Sequence, residues 1–378
     1  MRVLQLFSNS KWTGPAEPVL NLCVSLRDKG LEVDFACAPQ TGSKFNKIVA
    51  VAREHGLLPL DFMYLSKHRH PVRNFFDVYA LRRRLTTVSY DLIHCNLDND
   101  HRIALSASRG LGIPVVRTNH FGAGFPSDRR HRRLIARSAM IIEPSHMALE
   151  DDCAAFAVPR ERLAVVPGAI DTVRFDGSRS LPDLRKQLGI PAGAFVVGIV
   201  ARMQPHRHYE DLFEAFHLFL DTAENAHLVV VGRGTRQEQV GFAPVRRLKL
   251  TDRVHFTGYI DGDDYVGMLA GFDVGIFLTP GTDGGCRAAR EIMAMGKAMV
   301  VADRGMLREI VAHNSEGFVT DGSVEQLRDA LTTLYRQPQL RRQFAENAHA
   351  KAHTRYTLTH QADAVIDVYE TICAYASM

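Results

Sequence analysis

Asp283 and Glu291 stand eight residues apart in TPGTDGGCRAAREIMAMG, the run from Thr279 to Gly296. An apolar run, Val274–Leu278, precedes it and reads as a buried strand. Pro280, Gly281, Gly284 and Gly285 then make a loop, and a helix is expected from near Cys286 to a terminal glycine, Gly296. The start of such a helix offers unpaired N–H groups and a positive dipole end, which suit a phosphate. One carboxylate could hold a sugar ring and the other a ribose, with a pyrophosphate between them. The plainer reading makes Asp283 a helix cap and Glu291 a surface acid.

A second cluster lies in IVARMQPHR, residues 199–207. It follows another apolar strand, so Arg202 and Arg207 are expected at the same strand-end edge as the acidic segment. Guanidinium groups grip phosphate oxygens in a bidentate, permanently charged way. A departing diphosphate gains negative charge, and fixed cations stabilise it in the transition state. Taken singly, each arginine could equally be a surface ion pair.

The first half carries weaker signals. In VVRTNHFGAG, residues 115–124, His120 follows a buried strand and precedes two glycines. It reads either as a loop histidine or, from its place at a strand end, as part of a site. Gly14, in the loop after the first strand, could let the backbone touch a ligand or simply make a tight turn. The polar run Asn96–His101 also follows a strand and is a candidate for acceptor hydroxyl contacts. VGRG at 231–234 lacks the full glycine spacing of a dinucleotide fingerprint. Tyr259 and Ile260, after a further strand, could bracket a base.

These positions need strands to carry them. The first half offers apolar runs at Val3–Phe7, Val33–Ala36, Leu92–Cys95, Val115–Thr118, Met140–Glu143 and Leu163–Val166. The second offers Phe195–Val200, Leu228–Val231, Val254–Phe256, Val274–Leu278, Ala298–Ala302 and Gly317–Thr320. Helical patterns alternate with them, as in Glu17–Lys29, where Val19, Leu20, Leu22, Cys23 and Leu26 share a face. Alternation of this kind implies parallel βαβ units. The expected fold is α/β: two doubly wound Rossmann-like domains facing a cleft, with ligands outside the carboxyl ends of the strands. The expected division is 1–170, 171–357, and a last helix in 358–378 that crosses back onto the first domain.

Composition sets the bounds. The chain has 378 residues, 46% of them hydrophobic and 23% charged, enough for two cores and unlike a disordered chain. The six cysteines are scattered without a CxxC pair, so neither a disulfide framework nor a zinc site is expected. The opening apolar run is too short for a signal-peptide core, and no stretch approaches the ~20 apolar residues of a membrane span. A cytoplasmic protein, at most peripheral to a membrane, is expected. The net charge of +4 is mild and does not call for nucleic acid. Its basic residues crowd at Arg82–Arg84 and at Arg129, Arg130, Arg132, Arg133 and Arg137. They form either solvated helix faces or a surface for an anionic acceptor or leaflet.

With these residues in view, the chain resembles the retaining glycosyltransferases of GT-B fold, family 4, also called glycosyl transferases group 1. That family shows a basic pair five residues apart, then Glu-x7-Glu ahead of Ala-Met-Ala-x-Gly. Arg202 and Arg207 fall at the basic positions, and Glu291-Ile-Met-Ala-Met-Gly matches the second motif's end. VVPGAID at 165–171 resembles the family's Pro-Asn-Gly-Val-Asp, and VVVGRG and RVHFTGYI resemble parts of its nucleotide domain. Three departures stand out: Asp283 for glutamate, Arg207 for lysine, and Gly284-Gly285-Cys286 for Gly-Phe-Gly.

The resemblance implies transfer of a sugar, with retention, from a nucleotide diphosphate donor to a glycan or lipid-linked acceptor, without a metal or other cofactor. Glu291 would bind the ribose, Asp283 the sugar hydroxyls and His120 the sugar face. Cys286 and Arg287 would lie near the pyrophosphate. A role in cell-envelope glycan or lipopolysaccharide assembly fits the basic surface. A nucleotide-sugar epimerase of the same architecture and a non-catalytic nucleotide-sugar binder remain as alternatives.

Overall fold

A computed structural model describes residues 1–40, 45–280 and 286–376. Their strands form two six-stranded parallel sheets in two compact units.

The first unit comprises Met1–Ala169 and returns at Leu358 for a final helix. Its strands are β1 (Arg2–Phe7), β2 (Glu32–Cys37), β3 (Leu92–Cys95), β4 (Val115–Thr118), β5 (Met140–Glu143) and β6 (Leu163–Val165). Its helices are α1 (Ala16–Asp28), α2 (Lys47–Glu54), α3 (Pro71–Thr87), α4 (Asp98–Ala107), α5 (Arg129–Ile135) and α6 (His146–Phe156). The sheet order is β2-β1-β3-β4-β5-β6. Strand residues alternate between faces. Leu4, Leu6, Ile93 and Val115 pack with Leu81 and Leu85 of α3 and with Ile103 and Ala104 of α4.

The second unit takes in residues 170–280 and 286–357. Its strands are β7 (Phe195–Val200), β8 (Ala226–Val231), β9 (Val254–Gly258), β10 (Val274–Phe277), β11 (Ala298–Ala302) and β12 (Gly317–Thr320). Its helices are α7 (Leu184–Gln187), α8 (Tyr209–Phe219), α9 (Ala243–Arg247), α10 (Gly262–Ala270), α11 (Arg287–Ala294), α12 (Leu307–Ile310), α13 (Val324–Arg336) and α14 (Pro338–Arg355). The order β12-β11-β10-β7-β8-β9 reverses direction between β7 and β10. Ligands of open α/β sheets sit outside the strand ends at such a reversal. The loops leaving β7 and β10 carry Arg202, Arg207 and the approach to α11. The polar segment 171–191 is packed onto this unit: Phe175 and Ile190 are buried in its core, and Arg185 donates to Gly271 O and Ala194 O.

The chain then returns to the first unit as α15 (Leu358–Ala376). Val365, Val368, Tyr369 and Ile372 cover Val3, Leu92, Val116 and Ile142 on the face opposite α3 and α4. Among the described residues no helix is long and apolar enough to cross a membrane.

Candidate functional site

In the second unit, the loop after β7 puts the two arginines in different states. Arg202 is exposed, and among the described residues nothing pairs with it. Arg207 is 6% exposed and donates Nη1 to Thr279 O at 3.0 Å and Pro280 O at 2.9 Å. Its Nε is buried without a partner among the described residues. Arg207 therefore ties the loop after β7 to the loop after β10, across the sheet's reversal. Arg202 makes no such tie among the described residues.

Glu291 is not a surface acid. It is 3% exposed, on the buried side of α11. Tyr265 of α10 donates its hydroxyl to Oε2 at 2.5 Å, and Arg287 Nε lies 3.0 Å from Oε1. Burial, followed by the Glu291 charge, lifts the Tyr265 pKa well above its usual value, so the phenol stays a donor. Arg287 thus serves the carboxylate one turn ahead of it. Asp283, Gly284 and Gly285 lie outside the described residues.

Cys286 begins α11 with φ +42, a left-handed conformation that disfavours a side chain. The family's glycine at this position has a physical reason, and Cys286 occupies it with its side chain buried. Arg304, just past β11, donates Nη1 to Leu278 O at 3.1 Å and adds a second guanidinium, after Arg207, to those bonded at the end of β10.

The glycines of VGRG have a structural origin. A Cβ on Gly232 would stand 2.4 Å from Ala201 O, and one on Gly234 would stand 1.9 Å from Met203 O. They let the Arg202 loop lie directly against the end of β8. Tyr259, at the end of β9, is 63% exposed and lies under Arg233, whose guanidinium carbon is 5.5 Å from the ring centroid. It offers an aromatic face at the same edge.

In the first unit, His120 follows β4, and its Nε2 meets Asn96 Oδ1 at 3.2 Å. Asn96 Nδ2 donates to Leu6 O and to Gln5 Oε1. Asn96 Oδ1 is therefore an acceptor, and His120 Nε2 carries the proton. Nδ1 is left as a lone pair. Burial, followed by the Arg117 charge and His94, lowers the His120 pKa to about 3. The imidazole is neutral at physiological pH and acts by hydrogen bonding, not as a cation.

The network continues inward. Gln5 Nε2 donates to Tyr369 Oη of α15 at 3.0 Å and meets His94 Nδ1 at 3.1 Å. The His120 loop is clamped from below as well. Glu143 accepts from Asn119 Nδ2, and Asp152 from Phe125 N, each at 2.7 Å. Burial and the neighbouring Asp152 push Glu143 well above the usual carboxylate range. Each of these buried acids disfavours the charge of the other.

The Asn96–His101 run does not present acceptor contacts. Asn96, Asn99, Asp100 and His101 are all buried. Asp100 accepts from the Ser8, Asn96 and Leu97 amides, bracing the ends of β1 and β3. The exception, Asp98, is engaged by Arg117, Arg130 and His131. Gly14 is exposed in the turn before α1. Among the described residues no group of three or more His, Cys, Asp or Glu side chains is placed to hold a metal.

The sequence reasoning missed Tyr265, Arg304, the Glu143–Asp152 pair and the Asn96–Gln5–Tyr369 network. Gln5, Asn96 and Glu143 carried one signal, a polar residue within or at the end of an apolar run; Tyr265, Arg304 and Asp152 carried none.

Two doubly wound Rossmann-like units, with cationic and carboxylate side chains at a sheet reversal, define the GT-B class of fold. The family model described as glycosyl transferases group 1 matches residues 181–351, and that of Glycosyltransferase Family 4 matches residues 13–174. The chain belongs to the group 1 glycosyltransferases. It is 23% identical over 296 residues to an uncharacterised glycosyltransferase of Methanocaldococcus jannaschii, covering 74% of this chain and 75% of that one. It is 26% identical over 311 residues to a D-inositol 3-phosphate glycosyltransferase of Saccharomonospora viridis, covering 75% of this chain and 71% of the other. Among solved structures, Anabaena HepE in complex with UDP shares the fold with a TM-score of 0.80 at 20% identity, covering 98% of this chain and all of that one.

Proposed function

We propose that this glycosyltransferase moves a sugar from a nucleoside diphosphate donor to an acceptor hydroxyl, with retention at the anomeric carbon and without a metal. The observation that carries the reading is Arg202: a guanidinium with no partner among the described residues, at the reversal of the second unit's sheet. The UDP held by Anabaena HepE supports a diphosphate there by likeness of fold.

The bond from the anomeric carbon to the diphosphate breaks, and its electron pair stays on the phosphate oxygen. The acceptor hydroxyl bonds to the same face of that carbon, and its proton passes to the departing diphosphate. Arg202 stabilises the charge that develops. Arg207 fixes the loop after β10, and Glu291, oriented by Tyr265 and Arg287, takes the ribose hydroxyls. Asp283 is assigned to the sugar hydroxyls and Tyr259 to the base. His120, a neutral imidazole with Nδ1 as acceptor, receives a hydroxyl of the sugar. The first unit supplies the acceptor side. The activity belongs on the cytoplasmic side of a cell envelope, in glycan or lipopolysaccharide assembly.

The test is a thermal-shift screen of nucleoside diphosphates and their sugars, since a ligand of the folded state raises apparent stability. Turnover of the best donor is then followed with EDTA present, and the product's anomeric configuration is read by NMR. Unchanged turnover in folded Arg202→Ala would sink the clamp. Unchanged donor affinity in Glu291→Ala would remove the ribose role. Isomerisation of the donor sugar without any acceptor would point to an epimerase instead.

A further inference from the structure

The first half of α3 is inside out. Its buried positions are Asn74 and Asp77. Asn74 exchanges amide hydrogen bonds with Asn99, and Asp77 accepts from the Tyr64 and Leu65 amides. Val72, Phe75, Phe76 and Tyr79 are 60%, 70%, 52% and 65% exposed. Their spacing of three and four residues puts them on one stripe of the helix. Tyr64, 49% exposed, lies beside the stripe with Arg73 over its ring. Scattered apolar residues on a surface are ordinary, but a contiguous aromatic stripe is not.

The charge around the stripe is one-sided. Lys67, Arg69, Arg73, Arg82, Arg83 and Arg84 lie between residues 62 and 90, against the single acid Asp77. That acid is buried and spent on backbone amides. Lys67, His68, Arg69 and His70 are exposed in the loop before the helix, and Arg83 continues the stripe one turn past Tyr79. Aromatic rings ringed by cations match a negatively charged lipid surface, where rings enter the headgroup boundary and cations meet the lipid charge.

The basic runs that stand out in the sequence are less available. Arg84 is tied to Asp34 and Tyr90, Arg82 to Ala107 O and Arg109 O, Arg130 to Asp98, and Arg137 to Leu105 O.

From this surface we infer that the chain docks on an anionic lipid bilayer through α3, with Val72, Phe75, Phe76 and Tyr79 entering the headgroup layer. The helix is oriented for use there. Asn74 meets Asn99 at the start of α4, while Arg82 meets the end of α4. The two helices are therefore parallel, and the aromatic half of α3 lies on the carboxyl-edge side of the sheet, with Asn96 and His120. Docking stands on the surface alone; that it brings a lipid-linked acceptor to that edge rests on the glycosyltransferase reading.

The full chain is sedimented with phosphatidylglycerol/phosphatidylcholine vesicles and with pure phosphatidylcholine vesicles. Binding is expected to the first, weakening as salt is raised. F75S/F76S should lower the partition coefficient at least about tenfold. Both side chains are exposed, so the variant should keep its melting temperature and its thermal shift with a nucleoside diphosphate. The proposal is overturned if wild type ignores anionic vesicles, or if F75S/F76S binds them as wild type does. It is also overturned if sedimentation without lipid shows a dimer that F75S/F76S dissociates, since a second copy would then cover the stripe. Absence of a nucleotide shift in wild type would count against the donor reading alone, because docking is decided by the vesicle binding.

Discussion

Asn96 Oδ1 lies 3.2 Å from His120 Nε2, and Asn96 Nδ2 is held by Leu6 O and Gln5 Oε1. One carboxamide therefore fixes both the tautomer and the orientation of the imidazole. Asn96→Ala should leave donor affinity near wild type and lower kcat by about 10- to 100-fold, as misplacement of a positioning group does. Equal kcat in the folded variant would show that His120 does not depend on Asn96.

Arg207 donates to two carbonyls of the loop after β10. Arg207→Ala should cost about 1.5–3 kcal/mol by urea unfolding, as loss of a charged donor does. Arg202→Ala, with nothing among the described residues to lose, should leave stability unchanged. Equal stability losses in the two variants would erase the distinction between pin and clamp.

Arg290 is 2% exposed on α11, its guanidinium 4.6 Å from the Tyr356 ring centroid, with Nε and Nη1 unpartnered among the described residues. Unmet donors in a buried place cost more than one cation–π contact returns. Arg290→Met, of similar length, should raise unfolding free energy by about 1 kcal/mol. A loss of comparable size would mean the cation is better satisfied than its neighbours indicate.

His94 is wholly buried between Gln5, Thr118 and Tyr369, and burial, followed by the Arg117 charge, lowers its pKa to about 3. Its folded pKa is below the unfolded value of ~6.5, so the unfolded chain binds the extra proton between those limits. Stability from this group is present above pH ~6.5 and lost as pH falls towards 3, by about 2 kcal/mol at pH 5. The difference in unfolding free energy between pH 7 and pH 5 should shrink by about that amount in His94→Gln. The comparison is between slopes, so the cost of breaking the network drops out.

The strands were legible because parallel strands, covered on both faces, are written as uninterrupted apolar runs such as Val-Val-Gly-Ile-Val in β7. The order of those strands, and so the reversal that sets the loop after β7 beside the loop after β10, cannot be read from runs alone. Spacing located both arginines but not their difference. Which one is tied down depends on carbonyls 72 and 73 residues away. No stripe is read from residues 71–87 in the sequence, and helical spacing there does not say which side is buried. Asn74 and Asp77 won the inner face because Asn99 and the Tyr64–Leu65 amides were there to satisfy them. Charge runs drew attention to Arg82–Arg84, yet two of those three are occupied within the fold.

Tyr369 and its neighbours on α15 have a consequence for how the protein is made. The residues they cover, Val3, Leu92 and Val116, are among the earlier parts of the chain to leave the ribosome. Their cover is translated after the whole of the second unit. Domains generally fold as they emerge, the N-terminal one first. Here α1 covers part of that face early, but the stretch over Leu92, Val116 and Ile142 waits for the last helix, so it is the later unit that can finish folding ahead of it.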